Sequence, residues 1–171
     1  TKQVVARFEA ERQALALMDH PNIAKVLDGG ATDRGRPYFV MELVKGVPIT
    51  EYCDQAALDT RQRLDLFTQV CRAVQHAHQK GIIHRDIKPA NIFNTEKNVV
   101  KILDFGLAHA APSGTLFGEK SAGSGLSANR ANTPAYASCN RLEGGAPVFS
   151  DDVYSLSCVI YEMLAGNHPY R

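Results

Sequence analysis

The order of elements legible in the chain predicts an α+β fold of two unequal lobes with a cleft between them. A few strands and one helix come first, and a largely helical body follows. With 171 residues the chain can build one domain with a real core, but not two comfortable ones. Hydrophobic residues make up 44% and charged residues 22%, a balance that excludes a disordered chain.

The first helix is expected over Arg7 to Met18, where Phe8, Glu11, Leu15 and Met18 share one face. A carboxylate inside an apolar stripe is costly to bury alone, so Glu11 calls for a cationic partner or an exposed helix end. His20-Pro21-Asn22-Ile23 breaks this helix. Val26-Leu27 opens a short strand, and Gly29 to Pro37 is rich in turn residues. Tyr38 to Val44 is dense in β-favouring residues and reads as a buried strand, ended by Gly46 and Pro48.

Two helices follow, around Ile49 to Gln55 and over Thr60 to Lys80. The longer one carries Leu64, Phe67, Cys71, Val74 and His78 along one face, with Gly81 as its C-terminal cap. From Ile82 to Phe105, short apolar runs between polar turns predict small strands carrying loops. Residues 110–132 are rich in Gly, Ser and Ala, bury little, and predict a mobile loop. The last helix starts near Ser150, with Asp151 and Asp152 favourable at its positive end. Val153, Leu156, Val159, Ile160, Met163 and Leu164 cover much of its circumference, which predicts burial on several sides. Gly166 and Pro169 end it.

A net charge of +1 gives no electrostatic reason to expect nucleic acid or an anionic membrane as partner. No apolar run is long enough to span a bilayer and no signal-peptide core opens the chain, so a soluble, cytoplasmic piece is expected. A membrane tether, if the full protein has one, would lie outside this segment. Cys53, Cys71, Cys139 and Cys158 stand far apart without a C-x-x-C pair, which favours reduced thiols over disulfides or zinc. His76 and His78 point in different directions on a helix and read as helix-face residues rather than metal ligands.

The chemistry concentrates in His84-Arg85-Asp86-Ile87-Lys88-Pro89-Ala90-Asn91, followed by Asp104-Phe105-Gly106. Both stretches, in this order on strand-flanked loops, resemble the catalytic loop and metal-binding motif of protein kinases. The likeness extends along nearly the whole chain, which resembles a eukaryotic-like bacterial serine/threonine protein kinase domain incomplete at both ends. It implies a protein-kinase-like two-lobed fold, with residues 1–43 a remnant of the small lobe and 44–171 part of the large one.

Phosphoryl transfer fits these residue types, because it needs in-line positioning and neutralised phosphate charge more than covalent help. The resemblance implies ATP and Mg²⁺ as cofactors and a protein substrate with a Ser/Thr acceptor. It makes Asp86 the catalytic base, Lys88 the charge beside the γ-phosphate, and Asn91 and Asp104 the hard oxygen ligands of magnesium. Glu11 matches the helix glutamate that pairs with the phosphate-gripping lysine. Met41 looks like the gatekeeper, Glu42 and Val44 like hinge residues whose backbone binds adenine, and Phe93 like the residue against the adenine ring. Asp152 matches the helix aspartate that holds the catalytic loop from below.

Lys88 and Thr133, ahead of Pro134-Ala135-Tyr136, favour serine/threonine over tyrosine as acceptor. Arg85 suggests activation by a phosphate, with Thr115, Ser121, Ser124 and Ser127 as candidates for self-phosphorylation in the 110–132 loop. Three departures stand out. Neither a Gly-rich loop nor a V-A-x-K strand precedes the first helix, so both are expected upstream of Thr1, and Lys2 lies too near Glu11 to substitute. Ser138-Cys139-Asn140 stands where Ala-Pro-Glu is usual, and Asn140 cannot form the salt bridge expected there. Ser157 replaces a common glycine. The isolated 171-residue piece is therefore expected to be inactive and poorly stable. Two readings of other classes stay open: a pseudokinase acting as scaffold or binding module, and a small-molecule phosphotransferase.

Overall fold

The computed structural model describes residues 18–33, 37–105 and 134–170. The expected first helix, with Glu11, lies outside them, as do Gly106, Thr133 and the 110–132 loop. The elements run β1 (Val26–Ala31), β2 (Pro37–Met41), β3 (Gly46–Pro48), α1 (Ile49–Gln55), α2 (Thr60–Gln79), β4 (Ile92–Thr95), β5 (Val100–Ile102), α3 (Cys139–Leu142) and α4 (Phe149–Ala165). Among the described residues, β1 and β2 form an antiparallel pair, and β3, β4 and β5 form a second antiparallel sheet in that order.

The two sheets are tied at β5. Ile23 bridges Ile102 in parallel, with the Ile102 N–H donating to Asn22 O at 2.8 Å and the Ala24 N–H to Ile102 O at 2.9 Å. Asn22 adds a side-chain bond to Val100 O at 2.8 Å. The Pro21 turn that stops the first predicted helix thus also fastens the chain to the strand leading into Asp104.

Three expectations need correction. Tyr38 to Val44 is not a buried strand: β2 ends at Met41, and Tyr38 and Val40 are 45% and 44% exposed. A strand alternates its side chains, so only Phe39 and Met41 turn toward the body. Gly46 to Pro48 does not merely end a strand; it forms β3 against β4. Gly46 is required there, since a Cβ would lie 2.3 Å from Asn94 O. Finally, the apolar residues spread around α4 are not all covered, against the expected burial on several sides. Val159 and Met163 are fully buried, but Val153 and Leu164 are 55% and 47% exposed on the opposite side. A hydrophobic circumference shows what a helix can bury, not how many neighbours reach it.

The long helix α2 is delimited by local chemistry. Asp59 accepts from the Gln62 N–H at 2.8 Å while the Gln62 side chain accepts from the Asp59 N–H at 2.9 Å, a reciprocal N-terminal cap. At the other end Gly81, at φ +75°, lets its own N–H reach His78 O and the Ile82 N–H reach Ala77 O. The buried face is Leu66, Val70, Ala73, Val74 and Ala77, with Phe67 part-buried beside it and Leu64 exposed. The true stripe is thus rotated from the expected one, towards α4 and β5.

Arg63 staples this helical body. Its guanidinium donates to Leu58 O at 3.0 Å, Met163 O at 2.6 Å and Cys53 O at 3.2 Å, and pairs with Asp54 at 2.9 Å. One planar fork thereby joins the end of α1, the start of α2 and the end of α4. Arg63→Met should cost about 2–4 kcal/mol, because it strands carbonyls that water cannot reach easily. Arg63→Lys should recover only part of this, since a point charge cannot span the same acceptors. Urea unfolding of both variants measures it, and stabilities within about 0.5 kcal/mol of the parent would refute the staple.

Candidate active site

The site begins with an extended Lys88 that precedes proline, as prolines demand of their neighbours. Pro89 then starts a tight turn closed by the Asn91 N–H on Lys88 O at 2.9 Å. This turn folds Asn91 back onto Asp86. The Asn91 amide donates to the Asp86 carbonyl at 2.9 Å and to its carboxylate Oδ2 at 3.1 Å. Lys88 Nζ meets the same Oδ2 at 2.7 Å.

Antiparallel pairing of β4 with β5 brings in the third oxygen-bearing residue. Ile92 faces Ile102, and the Leu103 N–H donates to Asn91 O at 2.9 Å, so Asp104 follows immediately beside the Asn91 turn. Asp104 has φ +60°, a left-handed conformation that aspartate tolerates better than most residues, and its side chain is exposed. Phe105 is buried, its ring tilted 50° against the His84 ring with centroids 4.4 Å apart.

The donor chemistry suits a hard cation. Both N–H bonds of the Asn91 amide are spent on Asp86, leaving its carbonyl oxygen as the remaining polar atom. No cluster of three or more His, Cys, Asp or Glu side chains able to hold a metal occurs among the described residues. Magnesium does not require one, since it takes one or two protein oxygens together with substrate phosphates.

Beneath the loop lies Asp152, only 1% exposed. Its Oδ2 accepts from the His84 N–H at 2.8 Å and its Oδ1 from the Arg85 N–H at 2.9 Å. Arg85 sits at φ +71°, and such a left-handed residue lets successive N–H groups converge on one anion. The conformation costs of order 1 kcal/mol or more, offset here by charge-assisted bonds.

The bond that sequence reasoning missed comes from α2. His78, expected to be an ordinary helix-face residue, has its Nε2 at 2.8 Å from Asp152 Oδ2, so Nε2 carries the proton. The partners are far apart in sequence, so no local pattern signalled the contact. His84 was likewise visible only as a motif letter. Its Nε2 lies 3.0 Å from Leu103 O and its Nδ1 accepts from the Asp86 N–H at 3.2 Å, which requires the neutral ring with the proton on Nε2.

Of the other expected residues, Met41 ends β2 opposite Val26, and Phe93 lies part-buried in β4 between Pro48 and Lys101. Glu42 uses its N–H on Lys25 O at 2.8 Å, and its carboxylate pairs with Lys101 at 2.9 Å. This ion pair fastens the segment after β2 to the strand leading into Asp104. Val44 is part-buried in the following connection.

Burial pushes the His84 imidazole below its ordinary value near 6.5, against the raising influence of Asp152 and Asp86. A group depressed in the fold takes up its proton first in the unfolded chain. Stability should therefore be full above about pH 6.5 and decline below it, by up to about 1.4 kcal/mol per pH unit. Denaturation measured at stepped pH tests the slope, and a ring-proton titration should find His84 taking up its proton below its ordinary value. A His84 that titrates at its ordinary value would contradict the assignment.

Comparison with known proteins agrees with this geometry. The protein kinase domain family matches residues 1–171. Serine/threonine-protein kinase PknB of Mycobacterium leprae is 36% identical over 96% of this chain and 26% of its own length. PknB of Mycobacterium tuberculosis is 37% identical over 96% of this chain and 26% of its own. Serine/threonine-protein kinase PrkC of Bacillus subtilis is 34% identical over 98% of this chain and 25% of its own. The chain thus spans about a quarter of the length of these curated relatives. It belongs to the protein kinase domain family.

Proposed function

We propose that this domain transfers the γ-phosphoryl group of ATP to serine or threonine hydroxyls of protein substrates, with Asp86 as base and magnesium held by Asn91 and Asp104. The observation that carries the reading is the convergence of Lys88 and the Asn91 amide on one Asp86 carboxylate oxygen. Asp86 accepts the substrate hydroxyl's proton as the hydroxyl oxygen bonds to phosphorus and the bond to the ADP oxygen breaks. Lys88 places an ammonium beside the transferring group and keeps the Asp86 carboxylate aimed. Magnesium, when bound, neutralises phosphate charge and holds the phosphates in line. Asn91 orients Asp86 with its N–H bonds while offering its oxygen to the metal.

The same reading makes Glu11 the partner of an upstream lysine, Met41 the gatekeeper, and the backbone of Glu42 and Val44 the adenine edge, with Phe93 against the ring. It also gives Thr133 the role of contacting Asp86 and Lys88. Arg85 receives a phosphate placed on Thr115, Ser121, Ser124 or Ser127. Its Nε is buried with no hydrogen-bond partner among the described residues, which supports that role.

In the full-length protein, Asp86→Asn should lower kcat on a generic protein substrate by about 10²–10⁴ while leaving ATP affinity within a few-fold. Asp104→Asn should instead weaken magnesium-dependent nucleotide binding. Radiolabel transfer and nucleotide titration separate the two, and near-native turnover by Asp86→Asn would overturn the assignment. Unchanged activity after alanine replaces all four loop hydroxyls would remove the Arg85 role.

A further inference from the structure

Residues 134–142 lie directly on α4. The Ser155 hydroxyl donates to Tyr136 O at 2.7 Å, and the Tyr136 hydroxyl bonds Glu162. Ser138 caps α3 by accepting from the Arg141 N–H, and donates its own hydroxyl to Asp151 Oδ1 at 2.5 Å. Asn140 donates from Nδ2 to both Asp151 oxygens at 3.2 Å and to Ala146 O at 3.0 Å. The Val148 N–H completes the shell at 2.9 Å from Asp151 Oδ2.

Asp151 is 2% exposed, so this carboxylate is no surface decoration of a helix end. The fit around Asn140 is close. A Cβ on Gly145 would come within 2.0 Å of Asn140 Oδ1, so only glycine admits the amide in this pose. The remaining charge facing Asp151 is Arg141 of α3, while the neighbouring Asp152 carboxylate turns to the catalytic loop. Position 140 is where the kinase resemblance leads one to expect glutamate. A carboxylate there would point at a buried carboxylate.

We propose that Asn140 and Asp151 form a positioning joint that holds residues 134–142 in register with the loop of Asp86, and that this joint accepts an amide but not an acid at position 140. The joint stands where the kinase resemblance leads one to expect a salt bridge that Asn140 cannot form. It also lets adjacent α4 carboxylates set both the catalytic loop and the segment on which the protein substrate docks. That consequence rests on the kinase reading given above; the joint itself does not.

The test uses the full-length protein with Asn140→Asp, Asp151→Asn and the exchange N140D/D151N. In Asn140→Asp two carboxylates face each other about 3 Å apart, so the defect is largest where both are ionised and shrinks as one binds a proton. The melting temperature should fall by several degrees at about pH 8 and approach the parent's at about pH 5.5. The KM for protein substrate should rise about tenfold while the KM for ATP stays within about twofold. The exchange should recover part of both readouts, because the amide–carboxylate bond re-forms with donor and acceptor swapped, while the bonds to Ala146 O and to one of the Ser138 and Val148 donors are lost. If Asn140→Asp does not fold, recovery of folding in the exchange decides for the joint. A parent-like Asn140→Asp at pH 8, or an exchange no better than the worse single variant, would overturn it. Should the parent show no phosphotransfer, the kinase reading fails while the melting arm still judges the joint.

Discussion

The architecture depends on a carboxylate taken out of water. Asp152 lies at the N-terminal end of α4, almost wholly buried, and repays its desolvation by accepting from the His84 and Arg85 N–H groups and from His78. Without that anion, adjacent buried amides would lack partners, and the left-handed Arg85 would have nothing to offset its strain. The loop carrying Asp86, Lys88 and Asn91 is therefore held from beneath by a helix, not by those three side chains themselves. For the proposed function such support matters, since small displacements of reacting atoms cost large factors in rate.

His84 extends the same order toward Asp104. Its neutral ring joins the Asp86 N–H to the Leu103 carbonyl and packs at a tilt against Phe105. The loop of Asp86 and the segment leading into Asp104 are thereby coupled through one imidazole whose protonation would break the Nδ1 bond. On α4, Asp151 and Asp152 turn to different partners, as successive helical residues must. One faces residues 138–148, the other faces the loop of His84 and Arg85.

Much of the fold was legible because it is local. The start of α2 at Thr60, its Gly81 stop and the Gly166 end of α4 are each set within a few residues, although the Asp59 cap that fixes the first was not read from the sequence. The grouping of Asp86, Lys88 and Asn91 was readable for the same reason, as a short turn compelled by Pro89 brings them together. What the sequence hid is long-range. His78 reaches Asp152 and Asn140 reaches Asp151 across segments whose relative placement no periodicity encodes. The β3 strand escaped notice because Gly46 and Pro48 read as breakers, whereas here Gly46 serves a close backbone approach. The exposed side of α4 and the half-exposed β2 show the converse error, in which apolar composition was taken for burial.

Amide hydrogen exchange on Asp152→Asn, read at His84 and Arg85 and set beside kcat of the same full-length variant, probes the central claim most directly. An asparagine presents an N–H where one of those amides needs an acceptor. Both amides should then exchange at least about tenfold faster, and kcat should fall about 10²-fold with nucleotide affinity largely kept. Parent-like protection of both amides together with parent-like kcat would show that the loop holds its shape without the buried carboxylate.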